Sequence, residues 1–121
     1  MELYCKVFVH GPSHDQLLAT VARSLDGQVS RRSVDGGGLA VDVLPNDDHD
    51  ETMAAQGAGD FLHFPYMLEV EVEADGDDES AFVTAVARLL DGLRAQGYDF
   101  VTAGDVEELL PGRGRSERPT P

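Results

Sequence analysis

An apolar residue occupies every even position from 62 to 74, and this alternation constrains the fold more than any other feature of the sequence. Side chains of a β-strand point alternately to its two faces, so the run predicts a long strand with one face in a core. Pro65 has no N–H to donate to a neighbouring strand, so it predicts an edge or a bulge. The alternating apolar residues are Leu62, Phe64, Tyr66, Leu68, Val70, Val72 and Ala74.

Two amphipathic helices accompany this strand. Ser13 and Gln16 have the spacing of a capping box at the start of the first helix, and Gly27 fits its end. Asp77 or Asp78 fits the N-cap of the second helix, whose apolar residues also recur at helical intervals. Each helix follows a strand, which is typical of an α+β domain.

The complete pattern predicts the element order β-α-β-β-β-α-β. We interpret it as a split β-α-β (ferredoxin-like) sheet with both helices on one face. The strand over residues 3–10 has apolar groups on both faces, which predicts a central position. The other strands are predicted over residues 28–34, 39–43 and 98–103.

The chain is strongly acidic, with 23 acidic against nine basic residues and a formal net charge of −14. Its 121 residues indicate a single domain over residues 1–111, followed by a tail over 112–121 that is expected to be disordered. The acidity argues against nucleic acid and anionic membranes as partners, because phosphate binding needs clusters of Lys and Arg. It favours solubility, a basic partner or cations.

Several functional classes lack their sequence signals. The single Cys5 excludes an internal disulfide and lies in an apolar strand, so we expect a buried thiol. Gly36, Gly37 and Gly38 lack the lysine of a phosphate-binding loop, so no cofactor is predicted. No membrane span or secretory signal is visible, and a cytoplasmic protein is expected.

Acidic residues of the long strand and of the segment before it define the main candidate site. On an open sheet face they predict either a solvated surface or a surface that binds a basic partner. Phe61 and Met67 beside these acids suit either anchors of an interface or a second small core. The acidic candidates are Glu69, Glu71, Glu73, Asp47, Asp48, Asp50 and Glu51.

A weaker candidate is a metal site formed by His49, Asp48 and Asp50. The segment does not follow the EF-hand pattern, because Glu51 stands where that loop needs glycine. A solvated loop is the alternative. The other histidines are His10, His14 and His63, and no pair of histidines has the HExxH spacing.

The segments FLHFPYMLEVEVEA and GYDFVTAGDVEELLP resemble small acidic bacterial proteins, some of which are immunity partners of toxins. The resemblance covers residues 61–111 and contains no motif with an assigned role, so it transfers no functional residue. It implies a protein that binds another protein.

These observations predict a non-catalytic acidic binding module, an immunity-type inhibitor of a basic protein partner. The alternative function is a small metal- or ligand-binding, enzyme-like domain that uses the histidines and the acidic loop. Homo-oligomerisation through the edge of the long strand is a further expectation.

Overall fold

The computed structural model describes residues 3–10, 13–45, 65–72, 78–104 and 109–110. These residues form an α+β domain with two helices and one six-stranded antiparallel sheet. In chain order the elements are β1 (Tyr4–His10), α1 (His14–Leu25), β2 (Gln28–Ser30), β3 (Ser33–Gly36), β4 (Leu39–Pro45), β5 (Tyr66–Val72), α2 (Glu79–Ala95) and β6 (Asp99–Ala103).

The strand order across the sheet is β2-β3-β4-β5-β1-β6. The predicted central position of β1 is confirmed, because it pairs with β5 on one side and with β6 on the other. The predicted five strands are wrong, since the sheet has six in a different order, and the ferredoxin-like arrangement is not confirmed. The long strand is described over Tyr66–Val72, and Pro65 lies just before it, not at an edge of the sheet. Residues 61–64, 73 and 74 lie outside the described residues.

The additional strand arises where the sequence predicts one strand over residues 28–34. This segment folds back on itself as β2 and β3, with Ser30 paired to Ser33 across a turn made by Arg31 and Arg32. Arg31 has a φ of 59°, a left-handed backbone conformation that residues other than glycine adopt at a cost in free energy. The turn carries no glycine or asparagine, so the usual sequence signal of a tight hairpin is missing.

Both helices cover one face of the sheet. Alternate residues of the strands point to this face and are fully buried, for example Val7, Val41 and Leu68. The apolar stripes of the helices contribute Leu17, Val21, Leu89 and other residues to the same core. Two helices on one face are therefore what the amphipathic patterns predict and what the structure shows.

The N-caps of both helices match the sequence signals, whereas the left-handed residue that ends α1 is Asp26, with a φ of 51°, and not the predicted Gly27. The Ser13 side chain accepts a hydrogen bond from the Gln16 N–H at the start of α1. Asp78, one of the two predicted caps, accepts hydrogen bonds from the backbone N–H groups of Ser80 and Ala81 at the start of α2. Because these caps satisfy otherwise unpaired donors, they set where the helices begin.

The two helices are in close contact at Gly92 of α2 and Ser24 of α1. A Cβ atom on Gly92 would lie 1.7 Å from the Ser24 Oγ and 2.6 Å from the Ser24 Cβ. The Ser24 hydroxyl donates a hydrogen bond to the Thr20 carbonyl oxygen of its own helix, which holds it in place. Gly92 therefore allows the helices to pack at this distance.

We predict that Arg31→Gly raises the free energy of unfolding by about 0.5–1 kcal/mol, because glycine relieves the left-handed strain at a modest entropic cost. Urea denaturation measures the change. Arg32→Gly is the matched control, since Arg32 is not among the residues with positive φ, and it should lower stability slightly. A destabilising Arg31→Gly would contradict the turn described above.

We predict that Gly92→Ala lowers the free energy of unfolding by about 2 kcal/mol through overpacking against Ser24. In a helix without this contact the same change would stabilise by about 1 kcal/mol, so the sign of the change is informative. Chemical denaturation of Gly92→Ala, Ser24→Gly and the double variant measures the coupling. The double variant should regain about 1 kcal/mol beyond additivity, and an additive result would rule out the contact.

Candidate functional site

The face of the sheet opposite the helices, which we call the open face, carries acidic side chains in two adjacent rows. In the first row Asp42 of β4 faces Glu69 of β5, and Glu69 faces Lys6 of β1. In the second row Glu71 of β5 lies between Ala40 of β4 and Tyr4 of β1, and Asp35 of β3 faces Ala40. Directly opposed residues of antiparallel strands place their side chains on the same face, so these acids lie close together.

Lys6 is the only basic residue among the described positions of the open face. Neither Glu69 nor any other described carboxylate lies within ion-pair distance of its ammonium group. Asp42 is held by a short hydrogen bond from the Ser33 hydroxyl on the neighbouring strand β3. The first row therefore has one fixed carboxylate and one carboxylate, that of Glu69, without a salt bridge to a described residue.

An apolar row runs beside the acidic rows. Leu44 of β4 faces Met67 of β5, Met67 faces Phe8 of β1, and Phe8 faces Val101 of β6. All four side chains are partly buried. Sequence reasoning identified only Met67, because the row becomes visible only once the registers of four strands are known.

The predicted partner-binding residues divide into two groups. Glu69, Glu71 and Met67 lie on the open face, on one strand, as predicted. The others lie outside the described residues: Glu73, Asp47, Asp48, Asp50, Glu51 and Phe61. The same holds for His49 and therefore for the predicted metal site.

The charges of the described residues are not evenly distributed. The described ranges hold ten of the 23 acidic residues, and 13 lie elsewhere in the chain. Five of the ten are on the open face with one basic residue, and five are on the helices and their caps with three basic residues. The other two described basic residues, Arg31 and Arg32, lie in the β2–β3 turn. The described acids of the open face are Asp35, Asp42, Glu69, Glu71 and Asp99.

The long strand β5 does not offer a free edge over its described length. It pairs with β4 on one side and with β1 on the other from Tyr66 to Glu71. The predicted association of two chains through this edge is therefore wrong for these residues, since their backbone groups already pair within the sheet. Among the described strands, β2 and β6 are the outermost ones.

The two histidines of the described residues, His10 and His14, do not belong to a metal-binding group. His14 donates from Nε2 to the Val43 carbonyl oxygen at 2.9 Å, and its ring lies 6.5 Å from the Tyr66 ring. It thus ties the start of α1 to the end of β4. His10 is exposed at the end of β1. Within the described ranges, no three His, Cys, Asp or Glu side chains are placed to hold a metal ion.

Cys5 is fully buried on the helix-facing side of β1. Burial raises the pKa of its thiol from 9.0 to about 12. The thiol is therefore protonated at neutral pH and shielded from reagents, which is the opposite of what a nucleophilic cysteine needs. The expectation of a buried core thiol is confirmed.

Comparison of the chain with protein-family models, with curated proteins and with solved structures gave no match. The geometry of the described residues therefore has to support any functional assignment. Neither described helix is long and apolar enough to cross a membrane.

The raised pKa of Cys5 predicts a loss of stability at alkaline pH. Because the pKa of the thiol is higher in the folded than in the unfolded state, the contribution of the buried thiol to stability is fully present below pH 9. This contribution is lost as pH rises toward 12. We expect the free energy of unfolding to be about 2 kcal/mol lower at pH 10.5 than at pH 8 from this group alone. Urea denaturation across this range, compared with Cys5→Ala, isolates the contribution. Equal slopes for both proteins would show that the thiol does not resist ionisation.

Proposed function

We propose that the chain is a non-catalytic module that binds a basic protein partner through the open face, in the manner of an immunity-type inhibitor. The observation that carries this proposal is the combination of acidic rows and an apolar row on the face that neither helix covers. Carboxylates steer a basic surface toward this face, and apolar side chains supply contact area once it has arrived.

The apolar row distinguishes this proposal from a merely solvated surface. A face that serves only solubility needs charged groups, and apolar side chains on it gain nothing from water. Leu44 and Met67 nevertheless lie side by side on adjacent strands, next to Asp42 and Glu69. Apolar contacts inside a charged rim are the usual composition of a protein–protein interface.

The distribution of reactive groups supports binding rather than catalysis. The thiol of Cys5 is buried and protonated, and the His14 ring is engaged with the backbone of β4. On the open face, the carboxylates of Asp42 and Glu69 lie on a partly accessible sheet surface rather than in an apolar pocket. A catalytic carboxylic acid needs such a pocket to hold its proton at neutral pH.

We also propose that the fold is an enlarged ferredoxin-like arrangement. Strands β4, β5, β1 and β6 are adjacent, and a helix follows each of β1 and β5, which supports a split β-α-β core. The β2–β3 hairpin then extends this core beyond β4. The extension widens the open face on the side that carries Asp35.

The proposal predicts that neutralising the open face weakens binding of a cationic peptide. The probe is a peptide of five lysines alternating with five leucines, and the variant is Asp42→Asn with Glu69→Gln and Glu71→Gln. We expect affinity at low salt to fall about tenfold or more, because about 1.4 kcal/mol of charge-assisted contact is lost. Isothermal titration calorimetry measures the affinity, and NMR chemical shifts locate the peptide.

The matched control removes three charges from the helices by Asp15→Asn, Asp26→Asn and Glu79→Gln. These residues are exposed and lie away from the open face. The control should change affinity by less than about threefold. A peptide in which serine replaces leucine should bind more weakly to the unchanged protein. Equal losses in the two variants, or shifts confined to the helices, would contradict the proposal.

A further inference from the structure

An open cleft of about 370 Å³ lies on the helix side of the molecule, between the β3–β4 turn and the outer surface of α2. Its volume is within the range of pockets that hold small ligands. None of its lining residues lies on the open face, so it is separate from the proposed partner surface. The lining residues are Leu25, Gly37, Asp78, Ser80, Ala81, Thr84, Ala85 and Arg88.

The apolar part of the cleft comes from both helices. Leu25, at the end of α1, is buried, and Ala85 of α2 is buried beside it. Gly37, with a φ of 61°, lies directly over Leu25, since a Cβ atom there would be 3.5 Å from the Leu25 side chain.

The polar part of the cleft is a row of three side chains on α2. Ser80, Thr84 and Arg88 are spaced by four residues, which places them on one side of the helix. The Arg88 guanidinium makes no ion pair or hydrogen bond with any described residue. Arg94 on the same helix differs, since it pairs with Asp91 at 2.9 Å.

Asp78 lies at the far end of the cleft, and its carboxylate is already engaged in capping α2. Its carboxylate accepts hydrogen bonds from the N–H groups of Ser80 and Ala81, so the first amides of α2 are not available to a ligand. An anionic group in this cleft would therefore bind at Arg88, between two and three turns into the helix. The hydroxyl of Thr84 is the nearest additional donor along the row.

We propose that this cleft binds a small organic anion, with its carboxylate or phosphate on Arg88 and Thr84 and its apolar part over Ala81 and Ala85. Arg presents a planar fork of N–H groups that suits both kinds of oxyanion. The apolar lining residues, which we call the apolar floor, would give such a ligand a higher affinity than an inorganic anion. This proposal is independent of the open face and of any protein partner.

The test is an NMR titration of the isotope-labelled full chain with benzoate and with phenyl phosphate. We expect saturable shifts of the Gly37, Ala81 and Ala85 amides with a Kd of about 1 mM or tighter. Arg88→Gln should weaken binding about tenfold or more, and Thr84→Val should weaken it less. Benzyl alcohol, a neutral molecule of similar size, should bind about tenfold more weakly than benzoate.

Arg23→Gln is the matched control, because Arg23 is an exposed arginine of α1 that does not line the cleft. It should leave the Kd within about twofold. Inorganic phosphate separates a mere charge effect from use of the apolar floor and should bind more weakly than phenyl phosphate. The proposal would be overturned if Arg88→Gln and Arg23→Gln had equal effects, or if benzyl alcohol bound as tightly as benzoate. It would also be overturned if binding did not saturate at 20 mM, which is roughly 2 kcal/mol weaker than the expected limit.

Discussion

Burial of one sheet face under two helices determines where the charged groups of the described residues can lie. Val7, Val41 and Leu68 are fully buried on that face, and no described acidic residue is buried among them. A carboxylate placed there would need a partner or a proton, and either costs several kcal/mol. Strand residues with charged side chains therefore point away from the helices, and alternation along each strand gathers them on the open face.

The central position of β5 in the sheet bears on the proposed function. On an edge strand, glutamates such as Glu69 and Glu71 deter pairing with another chain. Here β5 lies between β4 and β1, where no edge needs such protection. The glutamates instead lie near the middle of a broad face, where Glu69 is flanked by Asp42 and Lys6. Mutual repulsion in such a row is relieved by water or by cations of a partner.

The local pattern of the sequence was sufficient for the helices, their N-caps and the central strands, because each depends on side chains close together in the chain. Ser13 and Asp78 cap as predicted, and the alternation around Leu68 sorts the two faces as predicted. The Arg31 turn was not predictable, since it relies on strain at a residue that sequence rules exclude. The apolar row was not predictable either, because it depends on which strands are neighbours.

The position of apolar side chains beside the acids, and not charge alone, distinguishes a binding face from a solvated one. Long-range attraction between charges is screened within about 10 Å at ordinary salt, so carboxylates by themselves would hold a basic partner only loosely. Leu44 and Met67 lie in the row next to Asp42 and Glu69. Under the proposed function, a basic partner drawn in by the acids would therefore reach apolar contact without moving across the surface. Apolar burial is little affected by salt, so the two rows together would give fast arrival and slow release, which neither row achieves alone.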